Sequence, residues 1–184
     1  KESMHMHEGG CLCSSVRYQV ASEPSDVINC NCRFCQRSTG AAYMVETLFA
    51  KEDFAVTDGA TKVYEHVSED SGKKIYVNFC ANCGTKLFLT FERFPTFVGV
   101  FAGTFDDPNW FPRTPENTQY YFLSKAQNGT VLPAGFEVFH DHYWQSEGVV
   151  SIPQIFDEHT VVSSEVKKVS ETFAKRHRAR GDTH

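Results

Sequence analysis

The chain has 184 residues, 41% of them hydrophobic and 16 of them Phe, which is enough for one substantial core and short for two. A formal charge of −5 supplies no general basic field for nucleic acid, and no apolar run approaches the roughly 20 residues that cross a bilayer. Composition therefore argues against a nucleic-acid-binding or membrane-spanning protein. It predicts a soluble, cytoplasmic protein, with homo-oligomerisation left open.

In chain order, Lys1-Glu2-Ser3-Met4-His5-Met6-His7 reads as a tail or the remnant of an expression tag. Residues 1–8 are set aside on that ground, and His5 and His7 are not taken as ligands. Cys11-Leu12-Cys13 follows, with Gly10 easing a tight turn beside it. Val16-Arg17-Tyr18-Gln19-Val20 alternates apolar with polar residues, the period of a strand with one buried face. Val27-Ile28-Asn29-Cys30 is a second extended run, ending where Cys30-Asn31-Cys32-Arg33-Phe34-Cys35 begins. Gln36-Arg37-Ser38-Thr39-Gly40 then supplies turn residues, which puts this cysteine group on a loop.

Further strands are predicted at Tyr43–Phe49, Thr61–His66, Lys74–Phe79, Lys86–Phe91 and Thr96–Ala102, separated by Asp58-Gly59, Ser71-Gly72 and Pro95. Cys80-Ala81-Asn82-Cys83 falls between two of them, as a knuckle that ties a hairpin back to the first strand, with Gly84 in its turn. Beyond Pro108 the spacing is less regular, and Pro112, Pro115 and Pro133 break the chain. Asn128-Gly129-Thr130 reads as a turn rather than a glycosylation site. Val161–Arg178 predicts a terminal helix, and Lys175, Arg176, Arg178 and Arg180 favour its C-terminal end as a solvated face. The pattern is mainly β, with a zinc-binding domain over residues 9–150 and a partly helical C-terminal extension over 151–184.

Seven cysteines are an odd number, two of the three clusters have C-x-C spacing that strains a local disulfide, and no N-terminal apolar segment directs export. Disulfides are not expected. Isolated core cysteines have no reason to fall in C-x-C and C-x-x-C pairs, so the clustering points to metal. Cys11, Cys13, Cys80 and Cys83 supply four thiolates, the complement of a closed tetrahedral structural zinc. Cys30, Cys32 and Cys35 supply three, leaving a fourth position for water or a substrate atom. The expectation is two zinc ions per chain, one structural and one catalytic.

Gly9-Gly10-Cys11-Leu12-Cys13-Ser14-Ser15-Val16-Arg17-Tyr18, then Cys30-x-Cys32-x-x-Cys35, then Phe79-Cys80-x-x-Cys83-Gly84-Thr85 resemble the glutathione-dependent formaldehyde-activating enzyme family, which also contains centromere protein V. Gly103-Thr104-Phe105-Asp106-Asp107-Pro108 resembles a further signature of that family. The resemblance covers roughly residues 9–110. It implies a β-tent fold, with Cys11, Cys13, Cys80 and Cys83 on the structural zinc and Cys30, Cys32 and Cys35 on the reactive one. Phe136–Trp144 and the tail lie outside the resemblance.

Zinc held by three thiolates is electron-rich, a weaker Lewis acid than a histidine-ligated ion but a good seat for an exchangeable sulfur. With the resemblance, this predicts a reversible carbon–sulfur lyase acting on a thiol–aldehyde adduct such as S-hydroxymethylglutathione. Arg33 and Arg37 flank the reactive cysteines and suit a carboxylate such as glutathione offers, and Ser38 and Gly40 present hydroxyl or backbone donors nearby. His66, His140, His142 and Tyr143 are candidates for proton transfer, with His142 preferred. Two alternatives stand beside the lyase. One keeps the two-zinc frame with a different, non-glutathione substrate. The other is a non-catalytic, zinc-stabilised binding module, which requires a fourth protein ligand on the second zinc.

Overall fold

A computed structural model describes residues 6–146 and 149–178. His5, Arg180 and the side chain of Arg178, singled out from the sequence, lie outside the described part. The elements in order are β1 (His7–Gly10), β2 (Arg17–Val20), β3 (Asp26–Cys30), α1 (Arg33–Thr39), β4 (Met44–Ala50), β5 (Phe54–Asp58), β6 (Thr61–Val67), β7 (Lys74–Cys80), β8 (Lys86–Phe91), β9 (Phe97–Phe101) and β10 (Thr118–Tyr121). Short strands β11 (Val131–Leu132), β12 (Glu137–Val138), β13 (Trp144–Ser146), β14 (Val149–Val150), β15 (Gln154–Ile155) and β16 (Thr160–Val161) follow, and α2 (Ser164–Arg178) closes the described chain. The protein is mainly β with a C-terminal helix, as expected. No described helix is long and apolar enough to cross a membrane.

The chain divides into two compact units, one running to Val27 and resuming over Val45–Pro112, the other holding Ile28–Met44 and the chain from Arg113 onward. In the first unit, β1-β2-β5 form an antiparallel sheet, and β4-β9-β8-β7-β6 form an antiparallel run. The alternation read in Val16–Val20 is real: Tyr18 and Val20 are buried while Arg17 and Gln19 are half-exposed. They join Phe49, Leu87, Val98, Val100 and Phe105 in one core. Full burial of each such side chain contributes about 1.5–3 kcal/mol. The Tyr18 hydroxyl and Thr104 Oγ1 are 2.8 Å apart, and Thr104 in turn donates to the Phe101 carbonyl at 2.8 Å. Gly9 is required beside them, because a Cβ there would fall on the Tyr18 ring and the Thr104 carbonyl.

In the second unit β12 lies between β10, to which it is parallel, and β15, to which it is antiparallel. Leu123, Ala126, Leu132, Val138 and Val162 make its core, with Val166 of α2 packed against them. The Ser163 hydroxyl accepts from the Val166 N–H at 3.2 Å and caps the first turn of α2. Phe122 is buried with φ 59° and ψ 50°, a left-handed conformation rare for a bulky residue. Its N–H donates to the Asp141 carbonyl and that of Leu123 to the Phe139 carbonyl, both at 3.1 Å, so tertiary bonds hold the turn.

The seven strands predicted from the sequence are present to within one residue at each end. Three expectations change. Gln36–Thr39 is the body of α1 rather than a turn. The terminal helix starts at Ser164, because Thr160–Val161 pairs with β11 as a strand. Gly10 lies in β1 rather than in a turn, and its lack of a side chain admits the Val16 carbonyl. Asn128-Gly129-Thr130 is a turn, with Gly129 at φ +90°.

Candidate metal centres

The four-cysteine group is built from two tight turns. Cys11 follows β1, and its N–H bonds to the Val16 carbonyl at 3.1 Å, with Ser14 at positive φ between them. Cys80 ends β7, and the Gly84 N–H reaches the Cys80 carbonyl at 2.9 Å, with Gly84 at φ +75°. Thr85 Oγ1 accepts from the Leu12 N–H at 3.2 Å and lies 3.1 Å from Cys83 Sγ, which ties the two turns together.

The four sulfurs lie within 4.8 Å of one another; Cys11–Cys13 is 3.6 Å and Cys13–Cys80 is 3.7 Å. Tetrahedral zinc with bonds of about 2.3 Å sets its sulfurs about 3.8 Å apart, whereas a disulfide would bring a pair to about 2.05 Å. Backbone N–H groups of Val16 and Asn82 point at Cys11 Sγ and Cys80 Sγ at 3.2 and 3.4 Å, and such donors favour thiolates. The Ser15 hydroxyl, 3.0 Å from Cys13 Sγ, is the main reason Cys13 is lowered to about 5; the Thr85 hydroxyl lowers Cys83 to about 7. Burial pushes Cys11 upward. Donor type, number and spacing all fit zinc.

The three-cysteine group spans the junction of a strand and a helix. Cys30 is the last residue of β3, Cys32 is the N-cap of α1, and Cys35 lies in its first turn. Cys32 Sγ accepts from the Cys35 N–H at 3.3 Å, in the place a Ser or Asp oxygen usually takes. Gly40 ends the helix at φ +70°, its N–H bonded to the Gln36 carbonyl at 2.8 Å. The expected loop is therefore a capped helix, and a short one whose seven residues are too few to show an apolar period.

The three sulfurs again lie within 4.8 Å, and no His, Asp, Glu or further Cys joins them among the described residues. Cys32 is lowered to about 3, because the thiols of Cys30 and Cys35 and two backbone N–H groups serve it. Cys30, through Cys32, and Cys35, through Cys30 and Cys32, are raised well above the ordinary thiol value. The physical reason is that Cys32 receives the hydrogen bonds of the group, while its two neighbours are buried. Three soft donors gathered this way fit a zinc ion, with no further protein ligand among the described residues.

The other residues singled out from the sequence are placed as follows. Arg33 and Arg37 are exposed on α1, and Arg33 donates to Gln36 Oε1. Ser38 Oγ is buried without a hydrogen-bond partner. A Cβ on Gly40 would meet nothing within 4 Å, so its φ, and not a close approach, calls for glycine. His66 lies in β6 of the first unit. His140 Nδ1 is 3.1 Å from Ser170 Oγ, and the Tyr143 ring packs edge-on to Phe139 and Trp144. His142 packs on Tyr121 and Phe122, and its Nδ1 accepts from the Trp144 N–H at 2.9 Å. A neutral ring held this way carries its proton on Nε2, so to act as a base His142 must first release the Trp144 N–H.

Two residues that sequence patterning did not single out surround the cluster. The Asn31 N–H and side-chain Nδ2 both donate to the Tyr121 carbonyl at 3.0 Å. Gln36, 4% exposed, donates from Nε2 to the Asn31 carbonyl at 2.6 Å and to the Lys125 carbonyl at 2.9 Å. Tyr121 and Lys125 lie 90 and 89 residues from Asn31 and Gln36, and no local signal marks these pairs.

These features define a mainly β protein with two thiol clusters of zinc-binding composition. The family model described as "Glutathione-dependent formaldehyde-activating enzyme" matches residues 6–123, and the chain belongs to that family. A relative from Halomonas elongata, named "Putative glutathione-dependent formaldehyde-activating enzyme", is 29% identical over 121 residues, 64% of this chain and 76% of its own length. A relative of the same name from Fusarium vanettenii is 30% identical over 92 residues, 49% of this chain and 48% of its own length. The crystal structure of a Rhodobacter sphaeroides protein matches with TM-score 0.44 and 23% identity, over 54% of this chain and 87% of that one.

Proposed function

We propose that the protein is a zinc-dependent carbon–sulfur lyase acting reversibly on a thiol–aldehyde adduct, with S-hydroxymethylglutathione as the representative substrate, on a β-tent frame. The observation that carries this reading is the three-cysteine cluster, which gathers three thiol donors and no fourth protein ligand among the described residues. A zinc ion held by Cys30, Cys32 and Cys35 would offer a fourth position that accepts a substrate sulfur, lowers its pKa and favours it as a leaving thiolate. The four-cysteine group serves the second, structural zinc.

In the adduct-forming direction, the sulfur electron pair makes the C–S bond and the carbonyl oxygen gains a proton. In the lyase direction the hydroxyl proton leaves, the C–O bond becomes C=O, and the C–S pair returns to sulfur. Arg33 and Arg37, exposed on α1, are proposed to pair with the carboxylates of a glutathione-like thiol, and Ser38 to offer its hydroxyl. Gly40 contributes through the helix end it shapes, since its N–H is given to Gln36. His142 is proposed for proton transfer once the Trp144 N–H is released. Thiols grouped to bind metal suit a reducing compartment, and the cytoplasm is proposed as the location.

A second reading keeps the metal frame and changes the small molecule. It is favoured by the family match ending at residue 123, short of His140–Tyr143. A closed, purely structural second site is disfavoured because no fourth ligand joins the three cysteines among the described residues. The deciding measurement is a glutathione titration of cobalt-substituted protein, followed through the thiolate-to-cobalt charge-transfer bands. A saturable change, lost in Cys32→Ser together with turnover but without loss of the fold, is expected. Turnover retained by Cys32→Ser overturns the lyase, and activity on a thiol-free carbonyl substrate selects the second reading.

A further inference from the structure

We propose that Gln36 is a positioning residue for the three-cysteine site, holding the Asn31–Cys32 peptide in the orientation that brings the three sulfurs together around a metal ion. A primary amide side chain has two donor hydrogens and an oxygen with two lone pairs, and here all four are engaged. The two Nε2 hydrogens go to the Asn31 carbonyl at 2.6 Å and the Lys125 carbonyl at 2.9 Å. Oε1 accepts from Arg33 and, at 3.4 Å, from Gln127 Nε2. The side chain is 4% exposed, so water does not readily replace these bonds.

The placement gives the bonds their consequence. The Asn31 carbonyl belongs to the peptide that joins Asn31 to Cys32, between two of the three thiols. Rotation of that peptide swings Cys32 Sγ away from Cys30 and Cys35. The same peptide segment is held from its other side, where the Asn31 N–H and Nδ2 donate to Tyr121. Gln36 also grips the Lys125 carbonyl, in the turn that opens with left-handed Phe122 and closes with the Lys125 N–H on the Phe122 carbonyl at 2.9 Å. A segment about ninety residues away in sequence thus holds the cluster through the Gln36 amide beside the two Asn31 donors. A ligand site works when its first ligands are held by such outer bonds, and their loss typically costs 10–100-fold in metal affinity.

The inference rests on metal binding by the three cysteines, and its test reads that binding directly. Gln36→Met keeps the length of the side chain and removes all four bonds. Gln36→Glu keeps an acceptor for Arg33 and Gln127 and removes the two donors to Asn31 and Lys125. Both variants and the parent are titrated with cobalt(II) against a competing chelator, and the two sites are separated by their charge-transfer and ligand-field bands.

Each variant is expected to bind one of its two cobalt ions at least tenfold more weakly, with altered bands for that ion and an unchanged second ion. A lower melting temperature with both affinities within twofold of the parent would overturn the proposal, since packing alone would then account for Gln36. If Gln36→Met does not fold, Gln36→Glu decides by the same criterion. Adding glutathione to the same samples tests the proposed function separately. A parent that binds two cobalt ions but does not respond to the thiol overturns the lyase while leaving the affinity comparison for Gln36 in force.

Discussion

At the scale of single residues, the chemistry depends on which lone pairs and protons are already committed. His142 Nδ1 holds the Trp144 N–H, a bond that an asparagine side-chain oxygen can imitate. His142→Asn is therefore expected to keep the melting temperature within a few degrees while lowering kcat by about 10²-fold, the usual scale of lost acid–base assistance. Unchanged kcat across the pH profile would assign the ring a purely structural role. The identity of His142 as a candidate was legible in the sequence, because several polar groups sit together from His140 to Tyr143. Its engaged nitrogen was not, since a tautomer follows from the fold around it.

Between elements, the bidentate pair of Arg17 and Asp106 joins β2 to the turn that follows β9, with Arg17 Nη1 donating to Asp106 Oδ1 at 2.9 Å. The Arg17 guanidinium holds the Asp106 carboxyl below its ordinary value of 3.8. A carboxyl depressed on folding stabilises the protein above its unfolded pKa, and that contribution is lost as pH falls through the lower folded value. The pair is partly exposed, so solvent screening limits it to about 0.5–1 kcal/mol. Asp106→Asn is expected to lower stability by that amount at pH 7 and by progressively less below pH 4, as read by denaturant unfolding across pH; an equal loss at pH 2 would contradict the pairing.

The strands themselves were legible because a period of two is local: Tyr18 and Val20 point inward whatever their partners are. Helix α1 was not, because its caps are a cysteine sulfur and a left-handed glycine around only seven residues. Strand β1 was likewise hidden, since His7-Glu8-Gly9-Gly10 has no alternation and becomes a strand by pairing with β2.

For the whole molecule, the two clusters predict different consequences of losing metal. The four-cysteine group joins chain segments about seventy residues apart, as the 3.7 Å approach of Cys13 to Cys80 shows. Structural zinc contributes on the order of ten kcal/mol to folding in small domains. Cys80→Ser is therefore expected to lower zinc content by one ion per chain and the melting temperature by about 10 °C or more, given about 2–4 °C per kcal/mol at this size. A strong chelator should do at least as much to the parent protein. Metal analysis with thermal unfolding checks both, and a Cys80→Ser protein that melts like the parent would remove the structural role.

The sequence by itself determined the two cysteine groups and the order of the main strands, because cysteine spacing and side-chain alternation are written into neighbouring residues. It also carried the family membership, through motifs that lie within short stretches of chain. Only the tertiary structure decided how the three-cysteine cluster is held: Asn31 and Gln36 meet Tyr121 and Lys125 across separations of 90 and 89 residues. Hydrogen bonds of that kind are chosen by the fold as a whole, since the unfolded chain offers each buried amide many partners and packing leaves it these.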